Sequence, residues 1–157
     1  MWLARPQLLG RAAWHALALA ATLLLCSGAY ADCLDDAAAF HGVNGALLRS
    51  IAMQESRMVA SATNRNADGS EDIGLMQINS IHLPKLATFG VTRASLFNAC
   101  VNAYVGAWIL RKNIDRFGPT WKAVGAYNAS SPHKQLAYAN KILAQWQTLQ
   151  RRAMSQN

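Results

Sequence analysis

The chain has 157 residues, of which 52% are apolar and 15% charged, so it is long enough for one globular domain with a single hydrophobic core. This composition excludes a disordered, collagen-like or coiled-coil protein. The formal net charge of +7 favours a polyanionic partner, but no basic run with interleaved aromatic side chains is present, so nucleic acid is not the expected partner.

The first 31 residues have the features of an export signal. Two arginines precede an apolar run over 16–25, and the segment from Ala29 to Ala31 has the small-x-small pattern of a cleavage site. We therefore expect a cleaved signal peptide over 1–31, after which the mature chain begins. The alternative is an uncleaved membrane anchor, because the uncharged stretch over 12–31 is just long enough to span a bilayer.

Removal of this signal would leave two cysteines, Cys33 and Cys100, because Cys26 leaves with it. An even number of cysteines in an exported protein favours a disulfide, since disulfides persist in oxidising compartments. One bridge would tie the mature N-terminus to the start of a later helix, and its long loop gives about 4 kcal/mol of stabilisation in the chain-entropy model. The alternative is two unpaired buried cysteines.

Helical periodicity recurs along the mature chain, whereas the alternation typical of strands is almost absent. The predicted helices cover 35–41, 44–57, 96–117, 120–126 and 132–150, with Asn44 and Thr120 as N-caps and Pro132 in the first turn of the last one. The apolar side of the long third helix is expected to consist of Val101, Tyr104, Val105, Trp108 and Leu110. Residues 61–72 are predicted to form a polar loop, 75–79 a helical turn and 151–157 a fraying polar tail. The expected fold is one all-α domain over 32–150.

Glu55 does not fit the pattern of the second predicted helix. At about 100° per residue it falls in the middle of an apolar face formed by Leu48, Ile51, Ala52 and Val59. The other side of this helix carries Arg49, Ser50, Met53 and Arg57. A carboxyl in an apolar setting has a raised pKa and can stay protonated near neutral pH, as a general acid must. The alternative is a buried ion pair with an arginine from another helix.

Three motifs occur in order along the chain: ALLRSIAMQESR around Glu55, DIGLMQIN over 72–79 and VGAYNA over 124–129. Together with the two cysteines and the export signal, they resemble the lytic transglycosylases of the soluble, goose-lysozyme-like type. The likeness is greatest to the small ones carried by type III secretion, conjugation and pilus systems. It covers 32–146 and implies a periplasmic protein with a single lysozyme-like helical domain of the SLT type.

The resemblance also implies a role for each matching residue. Glu55 matches the catalytic acid and base, and Tyr127 and Asn128 match a segment that faces this acid across a cleft. The other positions implied to bind substrate, with the methionine and glutamine bordering the sugar, are Ser56, Gly74, Leu75, Met76, Gln77, Asn79 and Tyr138. The resemblance places Cys33 beside Cys100 as well. Read from the residues alone, Met76 could be core packing and Gly74 an ordinary turn residue, and the family usually has glycine where Ser130 stands.

The implied reaction cuts the β-1,4 bond between N-acetylmuramic acid and N-acetylglucosamine without water. Glu55 protonates the departing oxygen and then takes the proton from the C6 hydroxyl, which attacks C1 and closes a 1,6-anhydro ring. One carboxylate is sufficient for this reaction. The only plausible second carboxylates are Asp68, Glu71 and Asp72, which we expect to face solvent, with Asp72 bracing the turn at Gly74.

Two alternatives remain: a hydrolytic muramidase on the same fold, and a noncatalytic peptidoglycan-binding scaffold of a secretion apparatus. The implied partners are peptidoglycan glycan strands and components of an envelope-spanning secretion or conjugation machine. The mature chain, with 13 basic and 8 acidic residues, suits the anionic cell wall better than nucleic acid. We expect a monomer without a cofactor. We also expect no metal, because His41, His82 and His133 are dispersed, lack ligand spacing and are expected at the surface.

Overall fold

The computed structural model of the protein describes residues 33–155, so the predicted signal over 1–31 lies outside the described residues. Its helices are α1 over 33–41, α2 Gly45–Ser56, α3 Leu83–Ala87, α4 Ala99–Phe117, α5 Trp121–Gly125 and α6 Pro132–Met154. Three short strands, β1 Thr63–Arg65, β2 Glu71–Ile73 and β3 Ile78–Asn79, lie between α2 and α3, and single 3-10 turns form at Ser80–His82 and Ser95–Phe97. The expectation of a mainly helical domain is confirmed. Within 33–155 none of the helices has the length and apolar character to span a membrane.

Helix α2 forms where the sequence predicts it. The Asn44 side chain accepts a hydrogen bond from the Leu47 N–H at 2.9 Å, which satisfies a free donor of the first turn, and the helix ends at Arg57 in the left-handed conformation. Two details of the predicted faces are wrong. Ser50 is buried rather than on a polar outer side, and its hydroxyl is satisfied by donating to the Ala46 carbonyl at 2.7 Å. Val59 lies beyond the end of the helix and is 47% exposed.

The segment predicted as a polar loop forms a small antiparallel sheet instead. The central strand β2 pairs with β1, where Asn64 lies opposite Asp72, and with β3, where Ile73 lies opposite Ile78. Strands of two and three residues are too short to give a readable alternation, so the sequence carried no strand signal here. The helical turn predicted at 75–79 is also wrong: a tight turn over 74–77 connects β2 to β3.

This tight turn is held against α4 by one buried side chain. Asn102 accepts a hydrogen bond from the Met76 N–H at 2.7 Å and donates to the carbonyls of Ile73 and Leu96 at 2.9 and 2.7 Å. Gly74 lies in the left-handed region at φ 80°, and a Cβ there would come within 2.2 Å of the Asn102 side-chain nitrogen on α4 and within 2.4 Å of the Leu96 carbonyl oxygen. The turn therefore requires glycine for both its conformation and its close approach to α4.

Helix α4 differs from the prediction in its first residue and in the face that it buries. It begins at Ala99 because Asn98 caps it, accepting from the N–H groups of Cys100 and Val101. The buried residues of α4 are Ala99, Asn102, Ala103, Val105, Gly106, Ala107 and Leu110, a mostly small-residue face, whereas Val101, Tyr104 and Trp108 are only half-buried. Of the five predicted apolar residues, Val105 and Leu110 are therefore confirmed as buried. The rest of the buried face consists of small residues and Asn102, which the prediction did not include.

The two ends of the domain are fixed by a disulfide and by a long last helix. Cys33 and Cys100 are joined, with Cα atoms 4.9 Å apart, so the predicted bridge between α1 and the start of α4 is confirmed. Thr120 caps α5 as predicted. Helix α6 continues through Met154, so the described part of the tail expected to fray from 151 is helical up to that residue. The core beneath these elements is centred on Leu34, Leu48, Ile51, Ile73, Leu75, Met76, Ile78, Leu96, Leu110 and Ile142.

Candidate active site

A cleft of about 960 Å³ lies between the sheet and the helices, and Glu55 at the C-terminal end of α2 opens into it. The sheet region lines the cleft with Asn66, Asp68, Ser70, Asp72, Gln77, Asn79, Ile81 and His82. Helix α4 contributes Ile109, Asn113, Arg116 and Phe117, and the α5–α6 region contributes Ala126, Tyr127, Asn128, Ala129, Ser130, Lys134 and Gln135. All three sequence motifs therefore meet at one cleft.

The carboxyl of Glu55 lies in an environment that favours its protonated form. Burial raises its pKa from 4.5 to about 7, a hydrogen bond from Tyr138 opposes this rise, and the charge of Asp72 adds to it. No arginine or lysine among residues 33–155 forms an ion pair with it. The carboxyl of Glu55 is therefore partly buried among apolar residues without a basic partner within 33–155. This burial, and no ion pair, is the main influence on its pKa.

Two tyrosines form the surroundings of Glu55. The Tyr138 hydroxyl on α6 donates a short hydrogen bond to Glu55 Oε1, and Tyr138 is only 6% exposed. The Tyr127 hydroxyl donates to the Met76 carbonyl at 3.0 Å, which joins the α5–α6 connection to the 74–77 turn. Burial first, and then the charge of Glu55, raises the pKa of both tyrosines, so both hydroxyls remain protonated hydrogen-bond donors.

The residues of the 74–77 turn divide into two groups. Gln77 reaches the cleft from a left-handed backbone at φ 49°, and its amide donates to the carbonyls of Gly74 and Ala62 at 2.9 and 3.2 Å. The expectation that Met76 borders the sugar is not met, because its side chain and that of Leu75 are fully buried. A Cβ on Gly106 of α4 would lie 2.8 Å from the Met76 side chain, so Met76 is packed directly against that helix.

Ser56 and Gly74 also lie outside the lining of the cleft. The Ser56 hydroxyl donates to the Leu75 carbonyl at 2.7 Å and so ties the end of α2, immediately after Glu55, to the turn. Gly74 donates its N–H to the Ala62 carbonyl at 2.7 Å. These contacts make Ser56, Gly74, Leu75 and Met76 supports of the site, whereas Gln77, Asn79, Tyr127 and Asn128 face the cleft.

The three candidate second carboxylates are placed differently from one another. Asp72 was expected to face solvent and brace Gly74, but it lines the cleft and accepts hydrogen bonds from the Asn79 and Asn66 amides at 2.8 and 3.0 Å. Asp68 also lines the cleft. Glu71 lies outside it, where Arg93 binds both of its oxygens at 2.6 and 2.8 Å and lowers its pKa. The pairing β1–β2–β3 brings the amides to Asp72, which a loop prediction could not anticipate.

Several residues of the site were not predicted. His82, expected at the surface, is half-buried in the cleft wall, and burial lowers its pKa. Gln135 is buried and donates to the carbonyls of Ala129 and Ser130 at 3.0 and 3.2 Å, which fixes the loop that contains Ser130. A Cβ on Gly125 would lie 2.4 Å from the Gln135 carbonyl oxygen, so α5 and α6 pack at close range. Among residues 33–155, no group of three or more His, Cys, Asp and Glu residues is placed to hold a metal ion.

Comparisons with known proteins agree with this geometry. The profile of the transglycosylase SLT domain family matches residues 32–146. The invasion protein IagB of Salmonella typhimurium is 40% identical over 132 residues, covering 81% of this chain and 82% of that protein. Protein IpgF of Shigella flexneri is 39% identical over 117 residues, covering 71% and 77%.

The fold has a counterpart among solved structures. The X-ray structure of an inactive glutamate-to-glutamine mutant of the lytic transglycosylase Slt from Pseudomonas aeruginosa superposes with a TM-score of 0.60 at 21% identity. The match covers 72% of this chain and 22% of that one, so the present protein corresponds to about a fifth of that enzyme's length. With the family profile spanning nearly all of the described chain, the protein belongs to the SLT-domain family and is a peptidoglycan lytic transglycosylase.

Proposed function

We propose that this enzyme cuts the β-1,4 bond between N-acetylmuramic acid and N-acetylglucosamine without water and leaves a 1,6-anhydro end, with Glu55 as both acid and base. The observation that carries this proposal is the placement of the Glu55 carboxyl, which lines the cleft, accepts a hydrogen bond from Tyr138 and forms no ion pair within 33–155. Its burial raises the pKa of Glu55 to about 7, and a group near this value gives up a proton and takes one back at little cost at neutral pH. The inactive mutant in the solved structure of Slt likewise carries glutamine in place of a glutamate.

The reaction needs two proton transfers at one carboxyl. Glu55 first protonates the glycosidic oxygen, the C1–O bond breaks, and an oxocarbenium-like centre forms with help from the neighbouring acetamido group. The Glu55 carboxylate then removes the proton of the C6 hydroxyl, and this oxygen bonds to C1. The Tyr138 hydroxyl, which donates to Glu55, stabilises the carboxylate between the two steps. The internal hydroxyl replaces water as nucleophile and has a high effective concentration.

The remaining proposed roles follow from which side chains reach the cleft. Gln77, Asn79, Tyr127 and Asn128 line it and are proposed to contact the sugars. Ser56, Gly74, Leu75 and Met76 do not reach the cleft. The hydrogen bond from the Ser56 hydroxyl to the Leu75 carbonyl supports a positioning role for these residues. That hydrogen bond and the Tyr127 bond to the Met76 carbonyl hold Glu55 and the opposite side of the cleft in a fixed relation.

Hydrolysis is the second candidate, because Asp72 lines the same cleft and its charge raises the pKa of Glu55. A water-activating base must keep a lone pair free for the attacking water. A carboxylate has about four acceptor positions. In Asp72, Oδ1 accepts from Asn79, and Oδ2 accepts from Asn66 and, at 3.4 Å, from Asn64, so amide donors occupy three of them. This arrangement favours an anchoring role for Asp72 and supports the non-hydrolytic reaction.

The test is the chemistry of the product in water enriched in ¹⁸O. Mass spectrometry of muropeptides released from purified peptidoglycan should show unlabelled 1,6-anhydromuramic ends. Glu55→Gln should release none, and the matched variant Glu71→Gln, which changes a carboxyl outside the cleft in the same way, should retain activity. Labelled reducing ends without anhydro ends would establish hydrolysis instead, and wild-type activity in Glu55→Gln would exclude Glu55 as the acid.

We further propose that the enzyme acts in the periplasm and opens the wall locally for a secretion, conjugation or pilus machine. The 40% identity to IagB, an invasion protein, supports an association of this kind. Complementation of a deletion strain separates the enzyme from a noncatalytic scaffold. Glu55→Gln should fail to restore secretion through the machine, whereas equal restoration by wild type and variant would favour the scaffold.

A further inference from the structure

Two basic residues of the cleft form no ion pair with any acidic residue within 33–155. Arg116 on α4 and Lys134 in the first turn of α6 line the cleft and are both exposed. The three ion pairs found within 33–155 are formed by Arg49, Arg93 and Arg111, which lie elsewhere. No reaction step described above uses Arg116 or Lys134.

The setting of Lys134 makes an external anion favourable. It occupies the first turn of a 23-residue helix, a position where the helix dipole disfavours a cation, and this turn contains no acidic side chain. Besides Glu55 on α2, the acidic residues that line the cleft are Asp68 and Asp72, which come from the sheet region. Asp72 is already held by Asn66 and Asn79. The guanidinium of Arg116 lies over the Phe117 ring at 4.9 Å, a contact that leaves its N–H donors free. Both cations are therefore available to the substrate.

The sugars of the glycan offer hydroxyl and acetamido groups, which are neutral. The anions of peptidoglycan are the carboxylates of the peptides attached through the lactyl group of muramic acid, and guanidinium and ammonium groups bind carboxylates with charge-assisted hydrogen bonds. Resting on the proposed function, we infer that Arg116 and Lys134 bind these peptide carboxylates, so that the enzyme prefers peptide-bearing strands to peptide-free ones.

The experiment measures binding in the Glu55→Gln background, where cleavage does not interfere. Calorimetry compares a muramic acid-containing tetrasaccharide that carries its peptides with the same tetrasaccharide after an amidase has removed them. The peptide-bearing ligand should bind about tenfold more tightly, as expected for two partly exposed charge pairs. Adding Arg116→Gln and Lys134→Gln should bring the two Kd values together, and 0.5 M salt should reduce the preference as well.

The matched control adds Lys141→Gln and Arg152→Gln, which remove the same charges from exposed positions outside the cleft and should keep the preference. An unchanged preference after loss of Arg116 and Lys134, or an equal loss in the control, would overturn the inference. Equal weakening for the peptide-free ligand would overturn it too, because the free lactyl carboxylate would then be the bound group. Denaturation midpoints equal to that of the parent confirm that the variants are folded.

This result is distinguishable from a failure of the proposed reaction. The product assay uses wild-type enzyme, whereas the binding assay uses a variant without the acid. An absence of anhydro products together with a preference that depends on Arg116 and Lys134 would reject the reaction and keep the peptide site. Anhydro products without any preference would do the reverse.

Discussion

Glu55 experiences opposing influences that together set its pKa near neutral. Burial and the charge of Asp72 raise the pKa, and the Tyr138 hydroxyl, which favours the ionised carboxylate, lowers it. The sequence revealed the conflict itself, a carboxyl on an apolar helix face. The resemblance named Tyr138 as a substrate-binding residue, but not as the hydrogen-bond donor to Glu55. Tyr138 lies 83 positions away on α6, so only the packing of α2 against α6 brings the two together.

The first prediction concerns the pH dependence of the reaction. Because the acid must be protonated before the first step, kcat/KM should fall as pH rises through about 7. Tyr138→Phe removes a donor that lowers the pKa of Glu55, so the falling limb should move to higher pH, together with a lower maximal rate. Rates on peptidoglycan between pH 5 and 9 measure both. Tyr104→Phe, outside the cleft, should leave the limb in place. A limb that moves to lower pH in Tyr138→Phe would contradict the proposed hydrogen-bond effect.

The second prediction concerns stability. The folded protein holds a proton on Glu55 that the unfolded chain releases between pH 4.5 and about 7, so the free energy of unfolding falls as pH rises through this window. Glu55→Gln does not ionise, and at pH 8 it should be more stable than wild type by up to about 3 kcal/mol. At pH 4 the difference should disappear.

Urea denaturation at both pH values measures this effect. Glu71→Gln is the control of opposite sign, because Arg93 lowers the pKa of Glu71 and its loss removes a favourable pair at pH 8. If Glu55→Gln were no more stable than wild type at pH 8, the unfavourable burial of the ionised carboxyl would be disproved.

At the scale of elements, the sequence predicts α2, α5 and α6 closely, because caps and proline mark their starts. It does not predict the sheet, whose strands are too short for periodicity, nor the buried face of α4. That face consists mainly of small residues together with Asn102, so its hydrophobic pattern is weaker than that of the bulky side chains on the rest of the helix. The structure shows that this face packs against the 74–77 turn, a contact that the sequence does not reveal.

The third prediction follows from the three hydrogen bonds of Asn102. Asn102→Ala would leave the Met76 N–H and the carbonyls of Ile73 and Leu96 buried without partners. Unsatisfied buried groups cost about 1–3 kcal/mol each, so the loss of stability should reach at least about 3 kcal/mol. Chemical denaturation compares it with Asn140→Ala, an exposed asparagine on α6 that should change stability little. Similar stabilities of these two variants would show that Asn102 does not hold the turn.

At the scale of the whole molecule, the cleft is assembled from segments far apart in sequence. Helix α4 connects these segments. Its small-residue face packs against the 74–77 turn, and its residues Asn113, Arg116 and Phe117 line the cleft. The three motifs predicted that Glu55, Gln77, Asn79, Tyr127 and Asn128 share one site, and these residues line one cleft. The motifs did not predict the cations of the cleft, because a charged residue on an amphipathic helix resembles an ordinary solvated position.

The last prediction concerns the disulfide that joins α1 to the start of this central helix. Cys33 and Cys100 are 67 positions apart, so the bridge restricts a large loop in the unfolded chain. The chain-entropy model gives about 4 kcal/mol for a loop of this size. Replacing both cysteines by serine should lower the free energy of unfolding by about this amount, and reduction of the wild type should do the same.

Urea denaturation with and without a reductant provides the measurement. The reductant should shift the wild-type midpoint and leave the double-serine variant unchanged, which separates loss of the bridge from any general effect of the reductant. The serine variant should still cleave peptidoglycan at low temperature, because neither cysteine lines the cleft. Equal midpoints for oxidised wild type and the double variant would show that the bridge does not stabilise the domain. The position of α4 beneath the cleft would then depend on core packing and on the hydrogen bonds of Asn102 alone.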